Sequence, residues 1–145
     1  MSDHAVGPAV TRSRLGTAAA VLAVGTDLLY LGIIAVQEPV DWPTVIFFAT
    51  IIFLAGAAAG VASTPDRALA MRLLLFAAAA GGLLCLGIIG VFSIGLPLLV
   101  AGILCAIAWQ GAWAAGDPTG ARAWVPSLVA FGAAALLPLG GAIAL

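Results

Sequence analysis

Five apolar stretches, each about 20–24 residues long and each bounded by proline, glycine or charge, set what this chain can fold into. They cover residues 15–36, 43–62, 69–92, 96–115 and 123–145. At about 1.5 Å per residue, helices of that length reach roughly 30–36 Å, enough to cross a hydrocarbon core of about 30 Å. Lipid cannot satisfy backbone groups, so these stretches predict helices and not isolated strands. Hydrophobic residues make up 64% of the 145 and charged residues 8%, with a net charge of −1. A soluble domain carries about a quarter charged residues. The composition therefore excludes a cytosolic enzyme, a disulfide-rich secreted module and a disordered chain. Without a basic patch to neutralise phosphates, nucleic acid is excluded as a partner.

The breaks carry turn chemistry. Glu38, Pro39, Asp41 and Pro43 separate the first two stretches, and Thr64, Pro65, Asp66 and Arg67 the next two. Gly116, Asp117, Pro118 and Gly120 separate the last two. The break at Ser93, Gly95 and Pro97 is uncharged, but residues 69–115 are too long for one span, so a tight hairpin is expected there. Residues 1–14 are expected to be a disordered cytoplasmic tail, with 15–145 a single transmembrane domain.

Charge placement supports five spans. With the N-terminus cytoplasmic and the C-terminus outside, Arg12, Arg14, Arg67, Arg72 and Arg122 all fall on the inner side. Glu38 and Asp41 then lie outside. Trp42, Trp109, Trp113 and Trp124 fall near span ends, where indole rings sit well. The first stretch runs on to Val36, well past the small-residue triplet at Ala23 and Gly25, which argues against a cleaved signal peptide. The absence of Lys and Asn beside abundant Ala and Gly points to a GC-rich, bacterial source and hence to a plasma or inner membrane.

Gly56 and Gly60 form a GxxxG in the second stretch, and Ala78 and Gly82 repeat the spacing in the third. Such spacing marks either a dimerisation face or close packing within one bundle, and the Ala/Gly-rich composition favours the second. Pro138 predicts a kink in the last stretch, or an unwound hinge with Gly140 and Gly141. Cys85 and Cys105 lie inside apolar stretches, which argues against a disulfide.

Asp27 is the one charged residue deep within a span. A central Asp costs about 2.5–3.5 kcal/mol to insert, against roughly 3–6 kcal/mol returned by the Leu, Ile and Val of the same stretch. Such a group is expected to face the bundle interior. Gly16, Ala20, Ala23, Asp27, Tyr30 and Ile34 form one stripe at four-three spacing, with Thr26 pointing elsewhere. Tyr30 is placed to donate a hydrogen bond to the carboxyl. By depth, Thr50, Cys85 and Cys105 fall in the same layer as Asp27, and Gln110 lies deeper. No Arg reaches that layer. Three roles compete for Asp27: a hydrogen-bonded structural acid, a docking group for a basic partner, or a proton or cation site. Two thiols without His or a CxxC spacing do not make a metal site.

His4 lies in the tail, and no catalytic or phosphate-binding motif occurs. The reading is an all-α integral membrane bundle without enzymatic activity, metal or cofactor. Its expected function is that of an accessory or assembly subunit packing against partner membrane helices, with Gly56, Gly60 and Gly82 at helix contacts. Its partners are then the lipid bilayer and a second membrane protein or a second copy. The alternative is a small oligomeric proton- or cation-linked transporter using Asp27, with Tyr30, Thr50 and Gln110 as its polar lining.

Overall fold

The computed structural model describes residues 7–37, 39–91, 94–114 and 124–144, and these contain five helices and no strand. They are α1 (Gly7–Ile34), α2 (Trp42–Ala62), α3 (Leu69–Ile89), α4 (Gly95–Ala114) and α5 (Trp124–Ala144). Each is long and apolar enough to cross a membrane, as expected of a multi-pass membrane protein.

Helix α1 starts earlier than the apolar pattern does. Residues 7–14 are helical, although a disordered tail was expected there, and 1–6 lie outside the described residues. Extending an existing helix by two turns costs little, and Pro8 sits in the first turn, where its missing N–H has no partner to lose. At the start of α2, Pro43 occupies a similar position, and the Thr44 hydroxyl donates to the Asp41 carboxylate. Helix α5 continues through Pro138 without an unwound segment.

Helices α1 to α4 form a ring in chain order, each antiparallel to its neighbours, with α1 closing against α4. Helix α5 lies outside the ring against α3, and touches α2 at one end. Consequently α3 is the most buried helix and α5 the least. We call the end bearing the α1–α2 and α3–α4 connections distal, and the end bearing the α2–α3 connection proximal.

The core is built from small residues. Ala19, Ala23, Ala59, Ala79, Ala80 and Ala101 are fully buried beside Ile52, Leu83, Leu98 and Cys105. Glycine sets the closest approaches. A β-carbon on Gly81 would run into the Phe131 carbonyl oxygen of α5. One on Gly56 would lie 3.2 Å from the Ala23 Cβ and from the Val24 Cγ2. The GxxxG of α2 is therefore spent on packing against α1. Gly60 and Gly82 are in looser contact, with nearest neighbours 3.7 and 3.8 Å from an added β-carbon.

The proximal end is tied by polar groups. The Arg72 Nε of α3 donates to the Ala62 carbonyl at 3.0 Å, and the Ser13 hydroxyl of α1 donates to the Ser63 carbonyl at 3.0 Å. Both bonds satisfy carbonyls that the end of α2 leaves without helical partners. Arg14 and Arg67 are exposed at the same end, whereas Arg122 lies outside the described residues.

Candidate functional site

Asp27 is buried to 5% exposure on the face of α1 that also buries Gly16, Ala19, Ala23 and Thr26. The buried face is wider than one stripe because α1 packs between two helices, α2 and α4. Thr26 therefore points inward beside Asp27, against the expectation that it points elsewhere. Its hydroxyl donates to the Leu22 carbonyl at 2.7 Å and so is already satisfied.

The helix crossings fix the level of Asp27. Gly56 of α2 meets Ala23. One turn along each antiparallel helix brings Ile52 level with Asp27. On α4, Leu98 shares a cleft with Tyr30, and Leu104 shares a groove with Leu22. Asp27 falls between those levels, near Ala101. Its surroundings on both neighbouring helices are apolar.

The Oδ1 of Asp27 is buried and has no hydrogen-bond partner among the described residues. Tyr30 does not donate to it, contrary to expectation. An unsatisfied buried acceptor costs about 1–3 kcal/mol. Arg14, the nearest described Arg along α1, is about 20 Å away by helical rise. Arg72 is engaged at the proximal end.

Tyr30 is half-buried one turn distal to Asp27 and lines a cleft of about 140 Å³ at the distal end of the ring. All four ring helices contribute walls. Phe48 and Ile52 come from α2, Leu86 and Ile89 from α3, and Leu98 from α4. The deep end of the cleft reaches Ile52, level with Asp27 on the α2 side, and Leu98, about one turn short of it on the α4 side, and Asp27 itself is not among the lining residues. On the proximal side, Ala19, Ala23, Ala59, Ala80 and Cys105 fill the axis with no exposure. The ring is thus open from one end and closed at the other.

The remaining predicted lining residues do not join this site. Thr50 is exposed, and its hydroxyl donates to the Ile46 carbonyl at 2.7 Å. It lies six residues from Gly56, about 120° round the helix from the packed face. Gln110 is exposed near the proximal end of α4, in a groove with Trp109, Trp113, Trp124 and Leu128. The Trp109 ring stacks on Phe131, with centroids 6.2 Å apart. Cys105 is in the core proximal to Asp27, and Cys85 is half-buried. Among the described residues, no three His, Cys, Asp or Glu side chains converge as metal ligands would.

Phe48 was not anticipated as part of the site. Its signal was its place one turn before Ile52, at the distal end of the face that carries Gly56. Comparison with known proteins finds no matching family model, no matching curated protein and no matching solved structure.

Proposed function

We propose that this chain is a small multi-pass membrane transporter of the proton- or cation-linked kind, working through Asp27 from the distal side. One observation carries the reading: a buried carboxyl with an unpartnered oxygen inside the helix ring, about one turn below Tyr30, which lines a cleft open at the distal end. Such a group is costly within a membrane span and is typically retained at ion and proton pathways. Among the described residues, the groups packed around Asp27 on α2 and α4 are apolar. In this reading the N-terminus is cytoplasmic, the C-terminus and the cleft face outward, and the membrane is a bacterial inner membrane.

The test is flux in proteoliposomes. Wild-type protein is expected to dissipate an imposed pH gradient faster than empty vesicles when a monovalent cation is present on the opposite side. Asp27→Asn is expected to return the rate to that of empty vesicles while still inserting and purifying as a single species. A wild-type rate equal to that of empty vesicles overturns the proposal.

A second reading, a non-enzymatic accessory subunit, is favoured by Gln110. Its amide is exposed among three Trp rings, and a partner helix that hydrogen-bonds it would bury that groove. Gln110→Leu would then release a co-purifying membrane protein that Asp27→Asn retains. The docking groups first expected for this role, Asp27 and Gly56, are instead used inside the ring.

A further inference from the structure

We infer that an anionic phospholipid binds in the groove between α1 and α4, with its phosphate on the Arg14 guanidinium and one acyl chain along Ala18, Val21 and Leu104. The inference concerns the outer face of the ring and is independent of the transport reading.

Helices α1 and α4 are the one pair of ring neighbours that no connection joins in sequence. Along their seam lies an open groove of about 640 Å³. That volume is inside the range of about 300–1,000 Å³ in which ligand sites are found. The groove changes character along its length. Its proximal end carries Ser13, Arg14 and Thr17, and its far end Val21, Leu22 and Leu104. Arg14 is one residue inside the apolar span Ser13–Ile34, which puts it at headgroup level when that span crosses a bilayer. Val21, seven residues on, is about 10 Å deeper and level with acyl chains. A phospholipid has the same order along the same axis, with charge first and hydrocarbon after it.

Charge selects the kind of phospholipid. Arg14 is exposed and makes no hydrogen bond or ion pair among the described residues. The two hydroxyls beside it have already placed their protons. Ser13 donates to the Ser63 carbonyl at 3.0 Å, and Thr17 donates to the Ser13 carbonyl at 2.9 Å. Among the described residues that line the groove, the guanidinium is thus the one free side-chain donor, and its planar fork matches two phosphate oxygens. Asp66 is exposed at the same end but does not line the groove. In a zwitterionic lipid, the ammonium of the headgroup competes with Arg14 for the phosphate. A headgroup without a cation leaves the full charge to Arg14. The apolar contact with Ala18 and Val21 is common to all phospholipids, so it adds affinity without selectivity. A lipid seated here touches both α1 and α4 and closes the seam from outside, where the chain itself supplies no connection.

The test is native mass spectrometry of the purified full chain, released from micelles holding phosphatidylglycerol and phosphatidylcholine in equal amounts. One retained lipid per chain is expected, with phosphatidylglycerol favoured about fivefold, the worth of one Arg at an anionic surface. Arg14→Gln is expected to bring that ratio to about one, and Arg14→Lys to restore it in part. Ala18→Trp, which fills the groove, is expected to remove the retained lipid of either kind. Arg67→Gln, at the same end but outside the groove, is expected to leave the ratio unchanged. Thermal denaturation gives a second readout: phosphatidylglycerol is expected to raise the wild-type midpoint above that in phosphatidylcholine, and Arg14→Gln to lose the difference. Equal retention of the two lipids by the wild type, or equal midpoints in them, overturns the inference whatever the variants do. An equal fall in Arg67→Gln and Arg14→Gln also overturns it, by tracing the selectivity to diffuse charge at the proximal end. Displacement by inorganic phosphate would leave a plain anion site and overturn the lipid. Release of a co-purifying membrane protein by Arg14→Gln, with no lipid retained by the wild type, would assign the groove to a partner and overturn it as well.

Discussion

Gly81 of α3 lies against the main chain of Phe131 on α5, so close that a β-carbon there would overlap the Phe131 carbonyl oxygen. Neither side of that contact is a flexible side chain, so an added methyl can be accommodated only by moving a helix. Gly81→Ala is expected to destabilise the folded protein by about 1–3 kcal/mol and to loosen α5 first. Gly132, one residue beyond Phe131, has open space where its β-carbon would go. Gly132→Ala is expected to be neutral or to stabilise by up to about 1 kcal/mol through helix propensity. Reversible denaturation in mixed micelles separates the two variants. Equal effects would mean that α5 does not pack on α3 as described.

Arg72 is the side chain through which α3 holds the end of α2. Its Nε bond to the Ala62 carbonyl satisfies a group that the helix end leaves open. Arg72→Gln is expected to cost about 1 kcal/mol, because the site is only half-buried and water replaces part of the bond. Arg67, exposed in the same connection, makes a control, and Arg67→Gln is expected to stay within about 0.5 kcal/mol of wild type. The same denaturation assay reads both. Indistinguishable variants would reduce Arg72 to a topological charge without a packing role.

Helix number and span positions were legible in the sequence because membrane length and backbone satisfaction act locally on each apolar stretch. The inward face of Asp27 was legible for a related reason, since the cost of a carboxyl in lipid leaves it one place to go. Which polar residues would join it was not. Depth along a span placed Thr50 beside Asp27, but depth is blind to rotation about the helix axis. The rotation of α2 is fixed by Gly56, whose face packs on Ala23 and turns Thr50 outward. Gln110 fails similarly, lying midway between Ala108 and Ala112, which point into the bundle. The close approach at Gly81 has no signal in the sequence because its partner is the backbone of a non-sequential helix. No residue pattern in α5 announces that α5, and not α1, covers α3.

The orphaned oxygen of Asp27 has a thermodynamic signature. If the carboxyl serves a ligand and not the fold, replacing it by an apolar side chain removes the desolvation cost without losing a bond. Asp27→Leu is therefore expected to stabilise the protein in micelles by about 1–3 kcal/mol, the two side chains being of similar size. Asp27→Asn keeps a polar group in place and is expected to change stability less. Loss of stability in Asp27→Leu, at unchanged helix content, would make Asp27 a structural acid and remove the basis for a ligand at the cleft.

The direction of the cleft depends on which way the bundle sits in the membrane. Arg14, Arg67 and Arg72 all lie at the proximal end, whereas the first distal connection carries Asp41. If the Arg-bearing end is the cytoplasmic one, the cleft faces outward. With Cys85 and Cys105 first replaced by Ala, Val40→Cys and Asp66→Cys report on opposite ends of α2. A membrane-impermeant maleimide is expected to label Val40→Cys in intact cells, and Asp66→Cys only after permeabilisation. The reverse pattern would turn the cleft toward the cytoplasm. Any cation reaching Asp27 would then come from inside the cell, and the proposed exchange would run with the opposite polarity.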